Sequence, residues 1–153
     1  MKNKIIIGCD NAGVEYKEQI RKVIVEEGYE VEDVGVNVED DKTFYPYVAK
    51  SVAEKVQADL ENTRGILICG TGIGMAITAN KFKDIRAAVG HDIYSVERSS
   101  LSNDCNVLCL GARVIGIEVA KRHVSEWLEL DGVVATSKNK VMAIGEIEGV
   151  NFK

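Results

Sequence analysis

The chain has few of the side chains that most often bind metals or form disulfides. Its 153 residues include two histidines, and its four cysteines form no C-x-x-C pair. We therefore expect no metal site. We also expect free thiols, which are typical of a reducing cytoplasm.

Basic charge and long apolar runs are also scarce. Acidic residues outnumber basic ones by 24 to 19, which gives a formal net charge of -5. Without a local basic patch, nucleic acids and anionic membrane surfaces are poor partners. No apolar stretch approaches the roughly 18 residues that a membrane span needs. The length and the 46% hydrophobic content are those of one globular domain, expected over residues 1–153.

Short β-branched segments alternate with longer segments of helical period along the chain. This alternation is typical of βα units whose parallel sheet is covered by helices on both faces. It predicts an α/β fold, a three-layer α/β/α sandwich around a five-stranded parallel sheet, with strands over 4–9, 30–34, 65–69, 85–89 and 106–110. Helical segments are expected between the strands, and a last helix is expected over about 138–149.

Three loops follow strands at the edge of the sheet where such folds bind ligands. The carboxyl ends of parallel strands lie at one edge, and the helices that begin there point unpaired N–H groups outward. The loops span 10–13, 69–74 and 111–113. Asn103 precedes the fifth strand and therefore belongs at the opposite edge, so it reaches a site only across a subunit contact.

The strongest local signal is the turn CGTGIG at 69–74. Alternating glycines let the backbone approach a ligand, and successive amides at a helix start form an anion-binding nest. Such a nest holds a phosphate or stabilises an enediolate oxygen, and it favours the thiolate of Cys69. The alternative is a structural cysteine that ends a core strand. A nucleotide site is disfavoured, because the pattern is GxGxG rather than GxGxxG and no GK[ST] is present.

Four further polar residues could take part in the chemistry or serve only the fold. Asp10 and Asn11 end the first strand and could bond substrate hydroxyls, although both residue types are also common in turns and N-caps. His91 is either an acid or base or a histidine that bonds to Asp92. His123, beside two basic residues on a helix, is expected at the surface.

Several motifs occur together in one order along the chain. They are GCDNAG at 8–13, CGTGIG at 69–74, ANK at 79–81, RAA at 86–88, NDCNV at 103–107 and LGARV at 110–114. With these motifs the chain resembles ribose-5-phosphate isomerase B and its galactose-6-phosphate isomerase relatives, from about residue 5 to residue 128. The resemblance implies a Rossmann-like fold and an aldose–ketose isomerase without metal or cofactor. It also implies a homodimer or a dimer of dimers, with sites between subunits.

The resemblance further implies roles for individual residues. Cys69 moves a proton between C2 and C1 of the open-chain sugar phosphate, giving a cis-enediolate. Thr71 serves ring opening and the same anion hole, and Asp10 contacts substrate hydroxyls. The other implied substrate contacts are Asn11, Tyr45, Gly70, Gly72, Ile73, Gly74, Arg113 at the phosphate, Lys140, and Asn103 reaching in from the neighbouring chain.

Two histidines of the family pattern are missing. Asn11 and Ser102 stand where typical members have imidazoles, one tied to the phosphate end and the other to opening the furanose ring. Ring opening then falls to Thr71, Asp10 or His91, or the substrate is already open.

The C-terminal segment also departs from the family pattern. The usual Arg-His-x-x-Arg aligns with TSKNK at 136–140. Lys138 and Lys140 bind phosphate as point charges, whereas arginines bind it as planar forks. We expect the helix over about 138–149 to pack on a partner subunit.

The expected activity is the interconversion of ribose 5-phosphate and ribulose 5-phosphate through a cis-enediolate. The changed positions leave two alternatives open. One is isomerisation of another sugar phosphate, either a tetrulose phosphate or galactose 6-phosphate and tagatose 6-phosphate. The other is a role as one subunit of a hetero-oligomeric isomerase.

Overall fold

The computed structural model describes residues 2–152, whose strands form one sheet. The five strands are β1 (Lys4–Cys9), β2 (Glu30–Asp33), β3 (Thr63–Cys69), β4 (Ala87–Val89) and β5 (Val107–Gly111). All neighbouring strands are parallel, in the order β2-β1-β3-β5-β4. The predicted strand number and direction are therefore confirmed, and β3 lies at the centre of the sheet.

Helices cover both faces of this sheet. They are α1 (Val14–Glu26), α2 (Tyr45–Ala58), α3 (Ile73–Ala79), α4 (Ile93–Leu101), α5 (Ile117–Glu129) and α6 (Lys138–Asn151). Helices α2 and α3 contact each other on one face, while α5 packs against α1 and α4 on the other. The three-layer, Rossmann-like sandwich is thus confirmed.

The three inner strands form the core because helices exclude water from both of their faces. Ile5, Ile6 and Ile7 of β1 are at most 1% exposed, as are Ile66 and Ile68 of β3. Fully burying a side chain of this size stabilises the fold by roughly 1.5–3 kcal/mol relative to leaving it exposed.

Local signals set the ends of several helices. Helix α1 ends shortly before Gly28, which has a left-handed φ of 88°. Pro46 lies in the first turn of α2, where its missing N–H costs no helical hydrogen bond. At the N-terminus of α4, the Asp92 carboxylate accepts the Ser95 N–H at 2.8 Å.

The C-terminus of α5 is held by a buried arginine. Arg64 of β3 donates from Nη1 to the carbonyls of Trp127 and Leu130 and from Nη2 to that of Leu128, at 2.9–3.0 Å. Its guanidinium also lies 4.2 Å from the ring centroid of the buried Trp127. These contacts tie the end of α5 to the amino end of the central strand.

Helix α6 makes few contacts with the rest of the chain. No residue within Lys138–Asn151 is buried, and Met142, Ile147 and Val150 are each about two-thirds exposed. The Glu148 carboxylate accepts the Asp84 N–H at 2.9 Å, which places α6 near the amino end of β4. None of the helices in residues 2–152 has the length and apolar character required to cross a membrane.

Candidate active site

Cys69 is the last residue of the central strand, so other loops flank it on both sides. On the β1 side, the Asp10 N–H donates to the Ile68 carbonyl at 3.2 Å. On the β5 side, Cys69 is in register with Gly111. The three loops that the sequence assigns to the ligand edge therefore meet there, as predicted.

The chain leaves this edge in different directions. After β1 and β5 it enters α1 and α5 on one face, whereas after β3 it enters α3 on the other. Adjacent strands whose connections run to opposite faces leave a crevice between their carboxyl ends, which is where open α/β sheets bind ligands. Cys69 and Asp10 stand at such a point.

A backbone amide donates to the sulfur of Cys69. The Gly72 N–H lies 3.1 Å from Sγ. Gly72 has φ 76°, and a Cβ on it would lie 3.0 Å from the carbonyl carbon of Leu110, so both the backbone angle and the close packing require glycine. The turn thus brings the partial positive charge of one backbone N–H to the sulfur.

The other three cysteines have different surroundings. The Cys9 and Cys105 thiols donate to the carbonyls of Val36 and Val107, respectively. Burial raises the pKa of the Cys9 thiol to about 12 and that of Cys105 to about 11. Burial also raises the pKa of Cys109 well above its usual range. These three thiols therefore stay protonated near neutral pH and serve as core side chains.

Two N–H groups of the glycine-rich turn already point at acceptors within the turn. The Ile73 N–H donates to the Thr71 hydroxyl oxygen at 3.3 Å, as the Gly72 N–H does to sulfur. Cys69 is 5% exposed, whereas Thr71 is exposed. An oxyanion bound at this turn would accept these two N–H groups in place of the sulfur and the hydroxyl oxygen. Backbone N–H groups that stabilise an oxyanion in this way form an anion hole.

Arg113 lies against the same turn. Its backbone N–H donates to the Gly70 carbonyl at 3.0 Å, and the preceding Ala112 N–H donates to the Cys69 carbonyl at 2.8 Å. A Cβ on Gly70 would lie 3.3 Å from Arg113 Nη1. A guanidinium thus stands beside the glycine-rich turn, where it can pair with a phosphate.

A cavity of about 490 Å³ opens beside Asp10 and Asn11. Tyr45 lines it and also lies over the Cα of Gly74, so this ring connects the cavity to the start of α3. Asp10 Oδ1 accepts the Ala12 N–H at 2.9 Å, which is the capping role that the sequence left open. The remaining lining residues, which sequence reasoning missed, are Asp41, Lys42, Thr43, Phe44 and Pro46.

Two of the predicted substrate contacts lie elsewhere in the chain. Asn103 is at the amino end of β5, where its Nδ2 donates to the Arg98 carbonyl at 3.1 Å. Lys140 is exposed on α6, which contacts the short helical turn Ala135–Ser137 before it. A single chain therefore brings Cys69, Asp10 and Arg113 to one edge of the sheet but not Asn103 or Lys140.

Both histidines are bonded to backbone groups that the sequence did not predict. The surface prediction for His123 is wrong: the residue is 4% exposed, because α5 is covered by α1 and α4, and its Nδ1 lies 3.2 Å from the Gly90 carbonyl oxygen. His91 Nε2 accepts the Gly111 N–H at 2.9 Å. His91 is thus bonded to the backbone of β5, and the Asp92 carboxylate caps α4 instead.

Sequence reasoning also missed the partner of Ser102. Arg98 donates from Nε and Nη2 to the Ser102 hydroxyl oxygen at 2.8 and 2.6 Å. The two residues are four apart at the end of α4, and that helical spacing is the signal that could have revealed the pair. Within residues 2–152, no cluster of three histidine, cysteine or acidic side chains is placed to hold a metal ion.

Comparison with known proteins identifies the family. A model of the Ribose/Galactose Isomerase family matches residues 5–144. The chain belongs to this family. Within it, the D-erythrulose-4-phosphate isomerase 2 of Mycolicibacterium smegmatis is 56% identical over 130 residues, which are 84% of this chain and 85% of that protein.

Two further members of the ribose/galactose isomerase family match almost end to end. Ribose-5-P isomerase B of Listeria innocua is 46% identical, over 97% of this chain and 99% of its own. The solved structure of ribose-5-phosphate isomerase B from Clostridium thermocellum has a TM-score of 0.90 at 40% identity, covering 97% and 99% of the two chains. The enzyme class is therefore that of the sugar-phosphate isomerases.

Proposed function

We propose that this isomerase interconverts D-erythrose 4-phosphate and D-erythrulose 4-phosphate, with Cys69 as the base. The Cys69 thiolate takes the C2 proton of the aldose, leaving a cis-enediolate. A proton passes from O2 to O1, and the thiol returns its proton to C1 to give the ketose. Atoms and electrons balance within the substrate, so the reaction needs no oxidant or reductant.

The surroundings of Cys69 support this role. Its sulfur accepts a hydrogen bond from the Gly72 N–H. The Ile73 N–H lies in the same turn, where it can stabilise the charge that develops on the enediolate oxygen. Asp10 directly follows β1 across the crevice, where its carboxylate can bond a substrate hydroxyl. Arg113 is placed to pair with the phosphate.

The choice of a four-carbon substrate rests on the Ser102–Arg98 pair. In the family pattern, one of the two histidines missing at positions 11 and 102 is tied to opening a furanose ring, and we assign that role to position 102. Here the Ser102 oxygen accepts two N–H groups of Arg98, so both of its lone pairs are occupied. Such a hydroxyl cannot take the proton of a ring hydroxyl.

A tetrose 4-phosphate does not need that step. Its C4 oxygen carries the phosphate, so no free hydroxyl can close a five-membered ring onto C1, and the sugar is open without help. Ribose 5-phosphate keeps a free hydroxyl on C4 and closes into a furanose. Loss of the ring-opening imidazole is therefore compatible with full activity on a tetrose phosphate. The name of the Mycolicibacterium smegmatis relative points to the same substrate.

Ribose 5-phosphate is the second candidate. The near-complete match to the Listeria innocua protein, at 46% identity, favours it. In that case the exposed Thr71 hydroxyl is the group best placed for ring opening, because His91 Nε2 is bonded to Gly111. Galactose 6-phosphate and a role as a subunit of a mixed oligomer have no comparable support in the geometry.

We also propose a homo-oligomer in which each site is completed by a second chain. Cys69 and Asn103 lie at opposite edges of the sheet, so one chain cannot place both on one substrate. Helix α6 exposes Met142, Ile147 and Val150, which fit a helix that packs on a partner and carries Lys140 with it. The four buried, unpaired thiols fit a cytoplasmic enzyme.

A substrate panel tests the proposal. Purified protein is assayed with erythrulose 4-phosphate, ribose 5-phosphate and galactose 6-phosphate at equal concentrations, and kcat/KM is compared. We expect the tetrulose phosphate to be turned over fastest. A higher kcat/KM for ribose 5-phosphate would replace the first candidate by the second. Activity that appears only after addition of a companion chain would favour a mixed oligomer.

A further inference from the structure

His91 is a half-buried histidine that the proposed proton transfer does not use. It follows β4 by two residues, and its Nε2 accepts the Gly111 N–H at 2.9 Å. Because Nε2 is the acceptor, the neutral ring must carry its proton on Nδ1. Gly111 is the last residue of β5, and its N–H is thus satisfied by a side chain at the carboxyl edge of the sheet.

Gly111 is in turn packed against the turn that follows Cys69. A Cβ on Gly111 would lie 2.8 Å from both Cα and the carbonyl carbon of Thr71, so the two backbones touch. Directly after Gly111, the Ala112 N–H donates to the Cys69 carbonyl and the Arg113 N–H to the Gly70 carbonyl. The position of the β5–α5 loop therefore determines the position of the glycine-rich turn.

We infer that His91 is a positioning residue: as a neutral acceptor it fixes Gly111, and through Gly111 it holds the amides around Cys69 in their working geometry. The inference rests on the proposed role of Cys69 as base. A protonated ring would direct an Nε2–H at the Gly111 N–H, and the two donors would repel. The β5–α5 loop would then shift, and the Gly72 N–H would lose its alignment with the sulfur.

The charged and titratable groups around His91 shift its pKa in opposite directions. Burial lowers the pKa of His91 below its ordinary value of 6.5, and the nearby His123 on α5 lowers it further. Asp92, at the start of α4, raises it. The net lowering keeps the ring neutral, so the contact with Gly111 is complete above pH 6.5. It is lost as the pH falls through the lowered pKa.

Two variants test the role through activity. Gln at position 91 can accept the same N–H through its amide oxygen but does not titrate, whereas Ala provides no acceptor. With the best substrate of the panel, H91A should lower kcat on the order of 10- to 100-fold, with a smaller change in KM. H91Q should keep most of the wild-type kcat and lose the acid-side fall that His91 causes below pH 6.5. Equal kcat in wild type and H91A, or an unchanged acid limb in H91Q, would overturn the inference.

A spectroscopic measurement tests the same contact without turnover. In wild-type protein with 15N-labelled histidine, we expect His91 at neutral pH to show the Nδ1–H tautomer, with unprotonated Nε2. An Nε2–H tautomer would overturn the inference even if H91A fails to fold. Loss of activity in C69A, or a different preferred substrate, concerns the proposed function alone, so the two proposals can fail separately.

Discussion

The ring of Tyr45 lies directly over the Cα of Gly74, and a Cβ on residue 74 would lie 2.5 Å from Tyr45 Cε2. The contact joins the first residue of α2 to the first turn of α3. Tyr45 is 41% exposed and lines the cavity beside Asp10. A side chain at position 74 would therefore push the ring out of its place in the cavity wall.

Gly74→Ala should clearly lower kcat/KM but reduce the free energy of unfolding only slightly. The exposed ring can rotate away, so we expect a stability loss of about 1 kcal/mol, the low end for an overpacked contact. Displacement of the cavity wall should lower kcat/KM on the order of tenfold. Steady-state kinetics and thermal unfolding measure the two effects.

Gly116→Ala is the matched control, because a Cβ there has no neighbour within 4 Å among the described residues and its φ of -66° suits any residue. It should leave kcat/KM unchanged. In a double-mutant cycle with Tyr45→Ala, the Gly74→Ala effect should shrink. Additive losses would contradict the contact as the cause.

Cys69→Ala should stop proton transfer while leaving substrate binding largely intact. The thiol acts on the barrier, so kcat should fall by about 10²- to 10⁴-fold, the usual contribution of a positioned base. Calorimetric binding of the substrate should change little, and solvent deuterium should no longer enter the substrate. Cys9→Ser, which keeps the hydrogen bond to the Val36 carbonyl, is the control and should remain active. Undiminished exchange in Cys69→Ala would reject the thiol as the base.

Ser102→His should raise activity on ribose 5-phosphate. It restores an imidazole at the position tied to ring opening, provided that the proposed oligomer brings residue 102 to a site. We expect kcat/KM for ribose 5-phosphate to rise on the order of 10²-fold, the low end for general acid–base catalysis. Turnover of erythrulose 4-phosphate should not rise, because that substrate has no ring.

Ser102→Ala separates the imidazole from the loss of the Arg98 contact. It frees the Arg98 guanidinium but adds no base, so ribose 5-phosphate turnover should stay low. An equal gain in Ser102→Ala and Ser102→His would show that the arginine, and not a missing base, limits the reaction.

Lys17→Met should destabilise the protein strongly. The Lys17 side chain is fully buried, with Nζ 2.7 Å from Asp33 Oδ2, 2.6 Å from the Val36 carbonyl and 2.7 Å from Asn37 Oδ1. Removing one member of a buried ion pair costs about 3–5 kcal/mol, since the other charge is left without a partner. Urea unfolding measures the loss.

An exposed lysine provides the comparison for Lys17. Lys50 pairs with Glu54 at 3.8 Å, one turn apart on the surface of α2. Lys50→Met should cost only about 0.3–0.5 kcal/mol. Similar losses in the two variants would contradict a structural role for the buried ammonium. Adding Asp33→Asn to Lys17→Met should recover part of the lost stability, because it removes the unpaired charge.

Local patterns predicted the elements that carry the site. Strand β1 has the predicted bounds of residues 4–9, because a short apolar strand is recognisable from neighbouring residues. The surface prediction for His123 is wrong because α5 is covered by both α1 and α4, so basic neighbours on this helix do not mark a face exposed to water. The cavity residues 41–43 were not predicted as site residues, since nothing in the local sequence shows which cavity a loop lines.

The order of residues by itself determined the α/β layers, the glycine-rich turn and the family motifs, because each depends on side chains close together in the chain. The tertiary structure decided what depends on distant contacts. It placed Gly111 against Thr71, bonded His91 to β5 and Arg98 to Ser102, and put Asn103 at the edge away from Cys69. These relations follow from strand order and helix packing, which are set by burial of the whole core and are not visible in any single segment.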